Sequence, residues 1–137
     1  MHVAELWRYP VKSMAAESLT RAEIRADGIV GDRVVHVRGA HGRVVTARTR
    51  PRLLGHRATL GPDGEPLVDG RPWRAPEVAQ DVIAAVGAGA RLVRDDGVER
   101  FDVLRRINRE FDGRLALNCY VVNAGAVAVG DPVELVA

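Results

Sequence analysis

Cysteine and aromatic residues are scarce in this chain of 137 residues. The single cysteine, Cys119, excludes an internal disulfide and a four-cysteine zinc site, so we expect a reducing compartment, the cytoplasm. Aromatic residues at 4% and a net charge of +2 leave few stacking platforms and little bulk positive charge for nucleic acid. No apolar run reaches the length of a membrane span, and the N-terminus lacks a signal-peptide pattern. We therefore expect a small-molecule ligand rather than nucleic acid or a membrane.

Lysine is also scarce, because only Lys12 among the 20 basic residues is a lysine. The arginine bias, together with the abundance of Ala, Val and Gly, is typical of a GC-rich, bacterial genome. Lys12 therefore marks a position where a compact ammonium group is expected to matter. The length predicts one domain, residues 1–137, with its own hydrophobic core.

Residues 28–54 contain the clearest secondary-structure pattern of the chain. Branched residues alternate on both sides of the connection 39–42, which begins and ends in glycine, and this pattern predicts an antiparallel hairpin.

An arginine series follows the hairpin at a spacing of two: Arg48, Arg50 and Arg52. In an extended segment their side chains would share one side, provided that Pro51 does not redirect the last one. Three guanidinium groups on one side suit a phosphate or a carboxylate. The alternative is three solvated arginines that keep a sheet edge from pairing with another chain.

Short strands separated by turns dominate the first 73 residues and predict a small antiparallel β-barrel. Apolar residues at helical spacing predict one helix at 76–86, with Pro76 in its first turn and Gly87 at its end, and a second helix at 102–111. The predicted fold is therefore mainly β with two short helices. Outside the hairpin, we expect strands at 2–9, 18–26, 56–60, 67–68, 90–94, 115–122, 126–129 and 133–136.

Four segments carry a resemblance to a known family: residues 9–13 (YPVKS), 28–33 (GIVGDR), 45–54 (VTARTRPRLL) and 125–133 (GAVAVGDPV). Each segment alone is a weak signal, and four in this order are more specific. The chain resembles the MOSC-domain family, named after the C-terminal part of molybdenum cofactor sulfurase. The resemblance implies a β-barrel that binds an anionic cofactor of the molybdopterin type, a sulfurated cofactor or a precursor, or that carries sulfur for it.

The resemblance also implies which residues contact the molybdenum cofactor. In the family, the lysine of the first segment and the arginine of the Thr-Ala-Arg segment help to bind its anionic parts. These positions are Lys12 and Arg48, with Ser13 and Thr46 beside them. By this resemblance the chain is similar to a shortened member, because it lacks the family's Arg-Pro-Asn segment and its Arg-Cys segment, whose cysteine is the metal or sulfur ligand in the family.

The one cysteine lies elsewhere, on the predicted strand 115–122. A cysteine in an apolar strand usually packs as a small hydrophobe. If an arginine approaches Cys119, its thiolate is stabilised and it becomes a candidate catalytic residue and persulfide carrier.

Two other functions stay open. Without the metal segment, the interior of the barrel would be a small, cofactor-free pocket. The protein would then be an enzyme that acts on a small organic, biosynthetic substrate in this pocket. Alternatively, the chain is a non-catalytic, truncated barrel that pairs with a second copy. The four histidines do not have metal-ligand spacing, so no metal-binding residues are predicted. In the enzyme, polar-tipped aromatic residues and a histidine would line the pocket: Trp7, Tyr9, His36, Trp73 and Tyr120.

Overall fold

Short antiparallel strands build most of the protein. The structure, a computed structural model, describes residues 1–95, 121–134 and 136. The prediction of a mainly β, antiparallel fold is confirmed. The elements in the described residues are β1 (Leu6–Arg8), β2 (Glu17–Leu19), β3 (Arg21–Arg25), β4 (Gly28–Ile29), β5 (Val35–Arg38), β6 (Val44–Val45), a 3₁₀ helix (Pro51–Gly55), β7 (Ala58–Leu60), β8 (Pro66–Val68), β9 (Arg71–Pro72), α1 (Pro76–Val86), β10 (Arg91–Arg94) and β11 (Gly125–Ala128).

The strands pair in small sheets with the orders β1-β2, β10-β5-β6, β11-β3-β4 and β7-β8-β9. Within the described residues, these sheets do not close into one continuous barrel. Two isolated parallel bridges, Val11 to Val35 and Ala15 to Arg57, join the segment after β1 to the neighbouring sheets. None of the helices in this part of the chain is long and apolar enough to cross a membrane.

The predicted central hairpin is confirmed as β5 and β6. Gly39 donates its N–H to the carbonyl of Arg43 over 2.9 Å, and Gly42 donates to the carbonyl of Gly39 over 2.9 Å. Gly42 has a φ of +75°, which a glycine adopts without steric cost. Gly39 and Gly42 therefore form the turn of the hairpin, as the sequence predicts.

The predicted helix 76–86 is confirmed as α1. Pro76 begins it, and Val78 and Val82 are fully buried one turn apart. Gly87 ends the helix with a φ of +130° and donates its N–H to the carbonyl of Ile83. The helix therefore packs one apolar stripe against a single hydrophobic core, whose buried members are Val11, Met14, Val35, Val37, Leu53, Ala58, Val68, Trp73, Val78, Val82 and Ala90.

One predicted strand, 18–26, is interrupted at Thr20. β2 pairs with β1, whereas β3 pairs with β4 and β11, so the chain changes sheets at the bend. The carbonyl of Thr20 instead accepts the N–H of Val129 over 2.9 Å. Two different pairing partners account for the break, which a continuous alternation does not reveal.

The chain ends also differ from the prediction. The first strand covers only Leu6–Arg8, and before it His2 forms an isolated bridge with Pro132. The predicted strand 133–136 is wrong for Val133 and Glu134, which lie outside any strand. Pro132 supplies no ladder donor, which limits pairing there. Helix 102–111 and most of strand 115–122, with Cys119 and Tyr120, lie outside the described residues.

Candidate anion-binding site

The backbone of Val35 holds the segment that follows β1. Its N–H donates to the carbonyl of Pro10 over 3.2 Å, and its carbonyl accepts the N–H of Lys12 over 2.9 Å. Alternate residues of a strand direct their backbone groups to the same edge. Gly39, four residues along, points its N–H to Arg43 beside β6. Residues 10–12 and β6 therefore lie along the same edge of β5.

A tight turn follows β6 at this edge. The N–H groups of Thr49 and Arg50 both donate to the carbonyl of Thr46, over 3.1 and 3.0 Å, and the turn carries Arg48. The segments 9–13 and 45–48 are therefore neighbours along β5.

The third segment, residues 28–33, joins the same region. Arg33 donates its N–H to the carbonyl of Tyr9 over 2.6 Å, and the N–H of Tyr9 donates to Oδ1 of Asp32 over 2.8 Å. The structure thus brings together the three N-terminal segments that the sequence singles out.

Lys12 and Ser13 occupy the two central positions of a β-turn. The N–H of Met14 donates to the carbonyl of Val11 over 3.3 Å, and both end residues are fully buried. Ser13 has a φ of 72°, the left-handed value of the third residue in a type II turn, where glycine is usual. The buried ends fix the turn and leave the two polar side chains half-buried near the surface.

Lys12 and Arg48 carry charges that no described carboxylate neutralises. Among the ion pairs of the described residues, several arginines pair with acids, for example Arg8 with Glu17 over 2.7 Å, but neither Lys12 nor Arg48 does so. Lys12 is half-buried and Arg48 is exposed. Two cations on neighbouring turns suit an anionic ligand.

The arginine series does not form the predicted row. Pro51 begins the 3₁₀ helix, so Arg52 lies on a helical turn and Arg48 lies in the preceding tight turn. Arg50 turns toward α1, where its Nε donates to the carbonyl of Val86 over 3.1 Å. The prediction of three side chains on one side of an extended segment is wrong, because proline suits a first helical turn.

The residues of the alternative pocket lie in different environments. Trp7 and Tyr9 are at the surface, with 45% and 38% of their area exposed, whereas His36 and Trp73 are buried. The indole N–H of Trp7 donates to Glu5. Trp7 and Tyr9 are therefore more exposed than His36 and Trp73, the pocket itself stays a prediction, and Tyr120 lies outside the described residues.

The buried Trp73 belongs to a structural cluster around Glu65. Its Nε1 donates to Oε2 of Glu65 over 2.9 Å, Arg74 donates to the same oxygen, and Arg94 donates to Oε1. The pKa of Glu65 lies below its ordinary value, and the hydrogen bond from Trp73 is the largest cause. Burial raises this pKa, whereas Arg94 and Arg74 lower it further. This carboxylate accepts three hydrogen bonds and links the β8–β9 hairpin to β10.

A second polar cluster joins His56, Asp69 and Asp81. Burial raises the pKa of Asp69, but the N–H of Arg57, the imidazole of His56 and the charge of Arg71 outweigh it and hold that pKa below its ordinary value. The spacing of the histidines alone does not indicate this cluster, because two of its three members are aspartates. The turn signal at Asp69 and Gly70 was the one local hint.

One known protein family matches the N-terminal part of the chain. The family model described as the MOSC N-terminal beta barrel domain matches residues 1–80, which contain all three N-terminal segments. No curated protein gives a significant match. The fourth segment, 125–133, lies beyond the matched residues and forms β11 and the turn after it. Because the match covers more than half of the 137 residues, the chain belongs to the family of MOSC N-terminal β-barrel domains.

Proposed function

We propose that this protein binds a small anionic ligand, a phosphorylated or sulfurated cofactor of the molybdopterin type or its precursor. The binding residues are Lys12 and Ser13 on one turn and Thr46 and Arg48 on the other. The observation that carries the proposal is the shared edge of β5, along which both turns lie. Membership of the family supports the class of ligand.

The charges of the site favour a phosphate or a related group. Lys12 is half-buried, so its attraction to an anion is less screened by water than that of a fully exposed lysine. The guanidinium of Arg48 can offer two parallel N–H donors, and the hydroxyl groups of Ser13 and Thr46 add further donors. The four groups are therefore suited to an anion that bridges the two turns.

These donors fit the anionic part of such a cofactor rather than its metal. Lysine, arginine, serine and threonine supply hydrogen bonds and positive charge, and the protonated side chains of lysine and arginine have no lone pair for a metal. Lys12 and Arg48 would hold the phosphate, and the cofactor itself supplies redox chemistry when bound. The one cysteine of the chain, Cys119, lies outside the described residues.

The test measures what the protein retains and what it binds. Protein from cells supplied with molybdate is analysed for molybdenum and for the fluorescence of the oxidised, heat-released supernatant, and calorimetry then measures binding of pyrophosphate as the probe. We expect a retained pterin signal, and pyrophosphate binding that falls at least about tenfold in Lys12→Ala and Arg48→Ala, about 1.4 kcal/mol or more each.

Arg43→Ala is the matched control, because Arg43 is an exposed arginine at the other end of β6. Its binding should equal that of the unsubstituted protein. Equal losses in all three variants would reduce the effect to general surface charge. Absence of both pterin and pyrophosphate binding would remove the proposed function.

Two further roles stay predictions. A persulfide carrier requires Cys119, so an assay of sulfane sulfur should give less signal in Cys119→Ala than in the unsubstituted protein. Pairing with a second copy predicts a dimer mass in light scattering, and a monomer mass at all concentrations would contradict it.

A further inference from the structure

The His56, Asp69 and Asp81 cluster lies at a junction of three elements. His56 follows the 3₁₀ helix, Asp69 lies in the turn between β8 and β9, and Asp81 lies on α1. One nitrogen or carboxylate oxygen from each residue lies within 4.8 Å of the other two. Residues separated by 13 and 12 positions in the chain therefore present their polar atoms to one point.

We propose that His56, Asp69 and Asp81 bind a divalent transition-metal ion, for which zinc is the probe. One imidazole nitrogen and two carboxylates form a donor set that suits zinc, whereas calcium and magnesium prefer oxygen ligands alone. Three protein ligands leave a fourth position for water or a small ligand.

The spacing of the cluster is compatible with coordination. Tetrahedral zinc holds its nitrogen and oxygen ligands at about 2.0–2.2 Å, which places the ligand atoms roughly 3.4 Å apart. Nδ1 of His56 and Oδ2 of Asp69 are 2.7 Å apart in their hydrogen bond and would separate slightly. The side chains of His56, Asp69 and Asp81 are 22%, 36% and 37% exposed, so the ion can enter from solvent without rearrangement of the core.

Asp69 is held in place before any ion binds. Its Oδ1 accepts the backbone N–H of Arg57 over 2.9 Å, which leaves Oδ2 for His56 or for a metal. This hydrogen bond orients the carboxylate, and hydrogen bonds that hold a metal ligand in place raise metal affinity.

Arg71 is the resident cation of the cluster. Its Nη2 donates to Oδ2 of Asp81 and lies 3.9 Å from Oδ2 of Asp69. With 38% of its side chain exposed, Arg71 can turn into solvent when a metal ion takes Asp81. Metal and guanidinium therefore compete for the same carboxylate, and removal of Arg71 should strengthen metal binding.

The experiment is a calorimetric zinc titration of the full chain after treatment with a chelator and removal of the chelator. We expect one zinc ion per chain. Binding should weaken at least about tenfold in Asp81→Asn and in His56→Ala, and it should tighten in Arg71→Gln. Cobalt(II) should give the visible absorption of a tetrahedral site in the unsubstituted protein and lose it in Asp81→Asn. His41→Ala is the control, because His41 is an exposed histidine in the central hairpin turn.

Asp81→Asn keeps the proposal testable if His56→Ala does not fold, because Asp81 lies on the half-exposed face of α1. Zinc binding of equal strength in Asp81→Asn and the unsubstituted protein would overturn the proposal. Binding that appears only in Arg71→Gln would also overturn it, because the natural chain would then prefer its own arginine. None of these outcomes depends on the anion site at Lys12 and Arg48.

Discussion

The backbone N–H of Lys12 donates to the carbonyl of Val35 over 2.9 Å. This bond attaches the turn that carries the only lysine of the chain to the edge of β5 that also pairs with β6. Because the turn with Arg48 follows β6 directly, one strand edge positions both cations of the proposed anion site. The arrangement depends on backbone bonds, so substitution of either side chain should leave the scaffold intact.

The left-handed backbone of Ser13, in the turn that carries Lys12, should lower the stability of the protein. Its φ of 72° is unfavourable for any residue with a Cβ, by about 1–2 kcal/mol. We therefore expect Ser13→Gly to be more stable than Ser13→Ala by about that amount in urea unfolding. Both variants lose the hydroxyl, so both should bind pyrophosphate more weakly than the unsubstituted protein. Equal stability of the two variants would contradict a left-handed Ser13.

Gly31, in the segment 28–33, should not tolerate a side chain. Its φ is +81°, and an added Cβ would lie 2.6 Å from Cδ2 of Leu60. We expect Gly31→Ala to lower the free energy of unfolding by about 1–2 kcal/mol, since the strained backbone adds to the contact. Gly55→Ala is the control, because nothing lies within 4 Å of its Cβ position and its φ is not in the left-handed range. A similar loss in both variants, measured by urea unfolding, would contradict this reason.

Local signals predict elements well where several of them coincide. Pro76, the apolar pair Val78 and Val82, and Gly87 all indicate one helix, and its observed bounds agree with the predicted ones. The central hairpin was predicted equally well, because alternation and glycine positions agree there. In contrast, the spacing of two from Arg48 to Arg52 is a single short signal, and the helix start at Pro51 overrides it.

The two candidate sites also differ in how far the sequence predicts them. The three N-terminal segments could be recognised in the sequence, but their meeting at β5 depends on the pairing of Val35, which no local pattern contains. The cluster of His56, Asp69 and Asp81 is harder still to predict, because Asp81 reaches the other two residues only through the packing of α1 against the 3₁₀ helix. Long-range packing, rather than residue type, decides which polar side chains meet.

Two adjacent leucines, Leu53 and Leu54, should contribute very differently to stability because only one of them is buried. Leu53 is fully buried, whereas 55% of Leu54 is exposed, although both lie in the 3₁₀ helix. We expect Leu53→Ala to cost about 2–5 kcal/mol because it leaves a cavity in the core. Leu54→Ala should change the free energy of unfolding by less than about 0.5 kcal/mol. Comparable urea midpoints for the two variants would contradict the observed burial.

Glu65 should make the stability depend on acid pH. Its pKa is lowered, first by the hydrogen bond from Trp73 and then by Arg94 and Arg74, so its stabilisation is complete above the ordinary value of 4.5 and is lost as the pH falls through the lower folded pKa. The stability difference between the unsubstituted protein and Glu65→Gln should therefore be present at neutral pH and shrink in acid. Urea unfolding across this pH range measures it. Glu134→Gln, which removes an exposed carboxylate, is the control variant.

Arg48 and Arg50 lie only two residues apart, but we expect substitution of Arg48 to weaken ligand binding and substitution of Arg50 to lower stability. Arg50 donates to the carbonyl of Val86 at the C-terminal end of α1, where a positive charge is favourable, so Arg50→Ala should lower the free energy of unfolding by about 0.5–1 kcal/mol. Arg48 has no carboxylate partner among the described residues, so Arg48→Ala should change stability by less than about 0.5 kcal/mol. Pyrophosphate binding should show the reverse order, with a loss in Arg48→Ala and little change in Arg50→Ala. Urea unfolding and calorimetry on the same preparations measure both properties. If Arg50→Ala weakens binding as much as Arg48→Ala does, the anion contacts the whole arginine series and the site is larger than the two turns.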